Sequence, residues 1–266
     1  SDGTTTECCE DHLWLTQTDA ERNNRVRCGN RKRKKEEKHG SVRSTKEILN
    51  SLFVTKNNRV NHSIPTTKPV NFTQNNDAVI HPYILGVLLG DGCVMRATKF
   101  TSYDEEIPNY IETLLPEGFS LSRRPARKKN SKKTEFCIKD SLATWKRKNR
   151  YTQELINLGI LGKKAQFKFS PKGYLFSSVT NRLALLRGLM DTGGTAGKCC
   201  TVFSTSSDAL ATDFQFLVES LGGIVSIKRY KSFYTYKGVK KQGLDSIKIV
   251  LSLPPDINPF NLSRKA

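Results

Sequence analysis

An α+β fold of two similar domains, each ordered α-β-β-α-β-β-α, is predicted by three features of the 266-residue sequence. Two short apolar stretches, Tyr83 to Leu89 and Leu183 to Met190, each carry a glycine near the middle and end in a glycine-rich break. Gly194 lies 102 residues after Gly92, and the same offset carries Gly86 onto Gly188, a spacing that suits two domains of ordinary size. Each stretch is then followed by a similar series of alternating strands and one amphipathic helix.

The first stretch, His81 to Val94, reads HPYILGVLLGDGCV. Its apolar run is far too short to cross a bilayer and fits one buried helix or strand. Gly86 and Gly90 share a face of a helix, where the missing Cβ lets another backbone approach. Asp91 then stands at the end of a dry helix, where a carboxylate needs a partner or a metal. Read alone, the stretch is better taken as a core helix with a glycine stop and a solvated turn aspartate. The second copy, Leu183 to Ala196, reads LALLRGLMDTGGTA and places Gly193 opposite Asp91.

After the first stretch, strands are expected in 93–102 and a helix in 104–115, with Ile107, Ile111 and Leu114 on one face. Strands at 119–124 and 134–139 flank a basic loop, 123–133, and a helix is expected in 151–161. The second copy continues with strand 199–205, helix 207–221 ended by Gly222-Gly223, and strands 223–230 and 246–253. A basic, aromatic stretch, 231–242, joins the last two. Alternation in Ser226-Ile227-Lys228-Arg229-Tyr230 fits a sheet with one face on the core.

The formal net charge is +19 and the isoelectric point is near 9.7. That balance points to an anionic partner, nucleic acid first and an acidic membrane surface second. Seven cysteines without a CxxC pair argue against a structural zinc site and for reduced thiols in an intracellular, cytoplasmic protein. No signal peptide or membrane segment is visible.

The pair LGVLLGDG and LRGLMDTGG resembles the two signature helices of LAGLIDADG homing endonucleases, and the resemblance covers 76–266. It implies two pseudo-symmetric domains, 76–165 and 166–266, whose sheets form a saddle over a long, asymmetric double-stranded DNA target. It further implies a monomer that hydrolyses phosphodiesters with Mg2+ or Mn2+. Position by position, Asp91 matches the acid of the first motif, while the second acid falls on Gly193. Asp191 matches an earlier, helix-end position. The carbonyls of Gly90 and Thr192 match the neighbouring metal-ligand positions. Lys168, in Lys168-Phe169-Ser170-Pro171, resembles a KxxP lysine that approaches the cleavage centre; it reads equally as a linker lysine before a proline turn. Strand-borne bases suited to DNA contact are Arg96, Lys99, Arg123, Arg124, Lys228, Arg229, Lys231 and Lys248, each of which also suits a solvated surface.

The first 75 residues add a second resemblance, to part of an intein splicing domain with its linker. Cys9-Glu10-Asp11-His12 is similar to a TxxH stretch with Cys9 in place of threonine, so that Cys9 and His12 read as a splicing relic. Ser1-Asp2-Gly3 reads as a turn and Arg31 to Lys38 as a solvated charge run. Ser44-Thr45-Lys46-Glu47 is a helix-starting capping box, and 60–72 is extended around its prolines. The chain lacks a terminal His-Asn, so no splicing is expected of it.

These resemblances imply a sequence-specific intein endonuclease of a phage or microbial host, its cleavage impaired or lost at Gly193. A non-cleaving DNA-binding protein or RNA maturase of the same fold is the alternative. Restoring aspartate at 193 is expected to raise cleavage, and Asp91→Ala to abolish what remains.

Overall fold

The computed structural model describes residues 5–22, 40–54, 58–72, 78–125, 134–197 and 200–266. The turn at 1–3, the charge run 31–38 and most of the basic loop after Arg123 lie outside them. The chain divides into two units, Gly3–Thr67 and Lys68–Ala266.

The first unit holds β1 (Leu13–Thr16), α1 (Asp19–Arg22), β2 (Ser41–Ser44), α2 (Thr45–Asn50), β3 (Phe53–Val54) and β4 (Arg59–Val60). The expected capping box is present: Glu47 N donates to Ser44 Oγ, and Ser44 N donates to the Glu47 carboxylate. Strands β1 and β2 pair antiparallel, with Leu15 opposite Val42. Among the described residues of this unit only Thr16 is fully buried, while Leu13, Leu15, Val42 and Leu49 are exposed. A splicing-domain fold is therefore not established by it.

The second unit begins its regular structure with α3 (Pro82–Gly90), β5 (Gly92–Cys93), β6 (Lys99–Ser102), α4 (Glu106–Leu114), β7 (Phe119–Pro125), β8 (Thr134–Asp140) and α5 (Arg150–Asn157). A 3-10 turn (Ala165–Phe167) and α6 (Lys172–Leu175) lead to α7 (Val179–Gly193), β9 (Gly194–Ala196), β10 (Thr201–Thr205), α8 (Asp208–Ser220), β11 (Ile224–Tyr230), β12 (Phe233–Tyr236), β13 (Val239–Gln242) and β14 (Ser246–Ser252). One sheet runs β5-β6-β8-β7 and the other β9-β10-β14-β11, the same order twice. Helix α8 ends where Gly222 takes a φ of +85°, a conformation that costs glycine nothing.

Three differences from the sequence reading stand out. Helix α5 stops at Asn157 rather than 161, because Gly159 turns the chain at a φ of +69°. Among the described residues β14 is followed by an irregular turn and not by a closing helix. The stretch 231–242 is not a plain connection but a separate two-stranded ribbon, β12–β13.

The core is continuous across both halves of this unit and centres on α3 and α7. Eight of the nine α3 residues are buried, so this helix carries no polar face. His81 caps its start by accepting a hydrogen bond from Tyr83 N at 3.2 Å, and Pro82 occupies the first turn, where its missing N–H costs nothing. A Cβ on Gly86 would come within 2.9 Å of Gly188 Cα and strike the Leu185 carbonyl; one on Gly188 would strike the Tyr83 carbonyl. The helices thus meet backbone to backbone through these two glycines.

Arg182 on α7 is fully buried, and among the described residues it has no carboxylate partner. Its guanidinium donates to the carbonyls of Ser177, Ser220 and Val70 and to Ser220 Oγ, and lies 4.7 Å from the Phe72 ring centre. Val70 N donates to Ser220 O at 2.9 Å, so the stretch around Val70 and Phe72 is bound into this unit.

Candidate functional site

The ends of α3 and α7 meet where a Cβ on Gly90 would strike Thr192 Oγ1. The next residues are Asp91 and Gly193. Gly92 and Gly194 follow, each packed so that a Cβ would lie 2.5 Å from the carbonyl of the residue four earlier, Leu88 or Met190. The two helix ends are therefore built alike, and Asp91 and Gly193 occupy corresponding places.

Asp91 is the exposed C-cap of α3, its N–H donating to Leu88 and Val87 carbonyls. Gly193 offers no side-chain oxygen. A Cβ there would approach Phe203 Cε2 to 2.7 Å. Phe203 is buried and stacked on Phe214 at 4.2 Å. Thr192 Oγ1 donates back to the Gly188 carbonyl at 2.8 Å, so its hydroxyl is engaged within its own helix.

Lys168 is only 6% exposed, neither a linker lysine nor a free one. Its ammonium donates to the carbonyls of Leu88, Leu89 and Gly92 at 2.8–3.0 Å, which uses all three of its protons around the Asp91 end. Burial lowers its pKa to about 8, against the opposing pull of Asp91 and Cys93. Lys265 does the same for the other helix, donating to Met190, Asp191 and Gly194 at 2.7–3.2 Å. These acceptors are the counterparts, 102 residues on, of those of Lys168. Both ammonium groups satisfy carbonyls that a helix end leaves open and match its negative pole. Lys265 escaped the sequence reading, because nothing in Asn-Leu-Ser-Arg-Lys-Ala marks a capping lysine.

Asp191 is 2% exposed and faces away from this end. It accepts from Tyr83 Oη at 2.7 Å and from the N–H groups of Asn261 and Leu262. Burial raises its pKa despite these bonds. It ties the C-terminal segment to both motif helices.

The eight basic candidates separate by sheet face. Cross-strand partners share a face, and Lys99 pairs with Cys137, Arg124 with Glu135, and Lys228 with Lys248. Lys99, Arg124, Lys228 and Lys248 lie on the sides away from the core, Lys99 in an ion pair with Glu135 at 3.1 Å. Arg123 and Arg229 lie on the helix sides. Arg123 pairs with Glu105 of the α4 N-cap at 2.8 Å, and Arg229 with Asp208 of α8. Arg96 and Lys231 sit on exposed connections. Cys9 and His12, in the first unit, form a turn in which His12 N donates to Cys9 O at 3.3 Å and the His12 ring packs edge-on to Trp14.

Among the described residues no three His, Cys, Asp or Glu side chains come together to hold a metal ion, and no helix is long and apolar enough to cross a membrane. Asp91 supplies one exposed carboxylate. Magnesium is commonly held by one or two carboxylates beside water and substrate phosphate.

No family model matches the sequence. The whole chain is 30% identical over 271 residues to part of the replicative DNA helicase DnaB of Mycobacterium intracellulare, and it spans 40% of that protein's length. Among solved structures, the chain is similar to the E117A variant of I-DmoI in complex with its target DNA and 2 mM Mn, at 12% identity. That match covers 65% of this chain and 86% of the other, with a TM-score of 0.42. Mesophilic variants of the homing endonuclease I-DmoI are similar to it at the same identity and TM-score, with 88% of their chain covered. The chain is thus similar along its whole length to part of a replicative helicase.

Proposed function

We propose that the chain is the endonuclease region of an intein carried by a replicative helicase, built to bind duplex DNA across its two sheets and to hydrolyse it beside Asp91. The single observation that carries this reading is the duplicated helix end. Two helices joined glycine to glycine place positions 91 and 193 alike, each over a lysine-capped terminus. Relatedness to a helicase over the full chain supports an insertion in such a host.

Asp91 and the Gly90 carbonyl would hold Mg2+ or Mn2+, and Thr192 would lend its carbonyl from the other helix. When bound, such an ion activates water and neutralises charge developing on the phosphate. Lys168 positions Asp91 by fixing the three carbonyls around it, and adds positive charge beneath the site. Lys265 does the same under position 193, where no carboxylate stands. Open-face Lys99, Arg124, Lys228 and Lys248 would neutralise phosphates of a duplex laid across the sheets.

Gly193 favours a second reading, a DNA-binding protein of this fold that no longer cuts. The test is incubation with duplex DNA spanning the uninterrupted helicase gene, with magnesium or a chelator, and gel analysis for binding, nicking and cutting. Magnesium-dependent breaks lost in Asp91→Ala support the endonuclease reading. Binding without breaks supports the second, and absence of binding contradicts both.

A further inference from the structure

Among the described residues the ribbon β12–β13 pairs only with itself and belongs to neither four-stranded sheet. Lys237 at φ +50° and Gly238 at φ +78° close it in the two-residue turn that suits the twist of a hairpin. Gly243 N donates to Ser232 O at 2.9 Å and Ser232 Oγ to Leu244 O at 2.6 Å, joining the two connections at its base to each other. Phe233, Tyr234, Tyr236 and Val239 are each just over half exposed, on both faces. An isolated hairpin gains little stability in water and does not commonly carry four large exposed side chains without a use.

The lysines account for Phe233 and Tyr236. Lys240 lies over Phe233 at 4.7 Å on one face, and Lys241 over Tyr236 at 5.2 Å on the other, with Lys237 also near Tyr236. No acidic residue occurs from Tyr230 to Gln242, while Lys231, Lys237, Lys240 and Lys241 do. Ring faces covered by the chain's own ammonium groups are not open platforms for bases. They act instead as rigid supports that hold cations away from the backbone.

We infer that the β12–β13 ribbon is an arm that grips the phosphates of duplex DNA beyond the sheets, adding affinity without reading sequence. A two-stranded ribbon also matches the width of the major groove, whose rims are phosphates. The inference rests on the DNA-binding reading above.

The test uses the full chain and two unrelated 40-base-pair duplexes in fluorescence anisotropy titrations between 50 and 200 mM salt. The ribbon variant is Lys237→Gln/Lys240→Gln/Lys241→Gln, the sheet variant Lys228→Gln/Lys248→Gln, and a third, Phe233→Ser/Tyr236→Ser, removes the supports. The ribbon variant should bind both duplexes more weakly by the same factor, and its log–log salt slope should fall by about 0.9 per lost phosphate contact, up to about 2.7 in all. The third variant should weaken binding in the same sense. Unchanged affinity and slope in the ribbon variant, beside a loss in the sheet variant, would overturn the arm and leave the DNA-binding reading standing. A loss confined to one duplex would overturn phosphate gripping in favour of base readout. Loss of binding to phosphatidylserine vesicles, with DNA binding untouched, would assign the ribbon to a membrane surface and overturn the arm. Failure of the unaltered chain to bind either duplex would overturn the DNA-binding reading itself.

Discussion

A Cβ at position 193 would come within 2.7 Å of Phe203 Cε2, and that ring is locked in a stack with Phe214. The vacancy left by the missing carboxylate is therefore filled from beneath. Gly193→Ala should destabilise the protein by about 1–3 kcal/mol, the usual cost of overpacking a tight site. Phe203→Leu in the same chain should recover part of that loss, which denaturant unfolding of the two single variants and the double variant will show. Gly193→Asp alone meets the same obstacle, so it should raise cleavage less than Gly193→Asp/Phe203→Leu does. The capping lysine makes its own prediction. Lys168→Met removes the donor shared by the Leu88, Leu89 and Gly92 carbonyls and should cost about 1–3 kcal/mol in the same assay. Asp140, 7% exposed, receives Arg150 through Nε and Nη2, and this bonding holds its pKa down at about 2. Its contribution to stability is present above the ordinary carboxylate range and is lost as pH falls through about 2. Unfolding measured from pH 5 to 2 should show that loss, with a smaller acid-dependent drop in Asp140→Asn.

At the scale of elements, the helix pair was legible because glycine spacing and unbroken apolar character leave few other uses for α3 and α7. Their crossing tolerates no side chain. Gly86→Ala drives a Cβ into a carbonyl of the partner backbone, which cannot swing aside. A loss of about 3 kcal/mol or more is expected, read as a fall in thermal midpoint. What stayed hidden shares one cause: long cationic side chains can serve phosphate, a helix end or a carboxylate, and local sequence does not say which. Arg182 is buried in a cage of carbonyls, Lys265 caps a helix, and Arg123 and Arg229 tether sheets to helices. None is marked by its neighbours in the chain. The alternation around Lys228 placed that lysine on one face and Arg229 on the other, but the pairing with Asp208 needed the fold. The ribbon was missed because its alternation is aromatic and basic on both faces, without the apolar side by which a strand is recognised.

Across the whole molecule, a charge of +19 acts at long range and is screened by salt. Duplex binding that uses on the order of 6–10 phosphates should weaken by roughly 10³–10⁵ between 50 and 200 mM salt. A flat titration would mean that the charge only solvates the surface. The central claim is narrower: Asp91 is the acid of a duplicated site whose second position is empty of oxygen and blocked by Phe203. Cleavage of duplex DNA spanning the uninterrupted helicase gene tests it most directly, in the original chain, in Gly193→Asp/Phe203→Leu, and in that variant with Asp91→Ala. The account predicts little or no double-strand cutting by the first, magnesium-dependent cutting by the second, and none by the third. Full double-strand cutting by the original chain, or cutting by the third that equals the second, would contradict it.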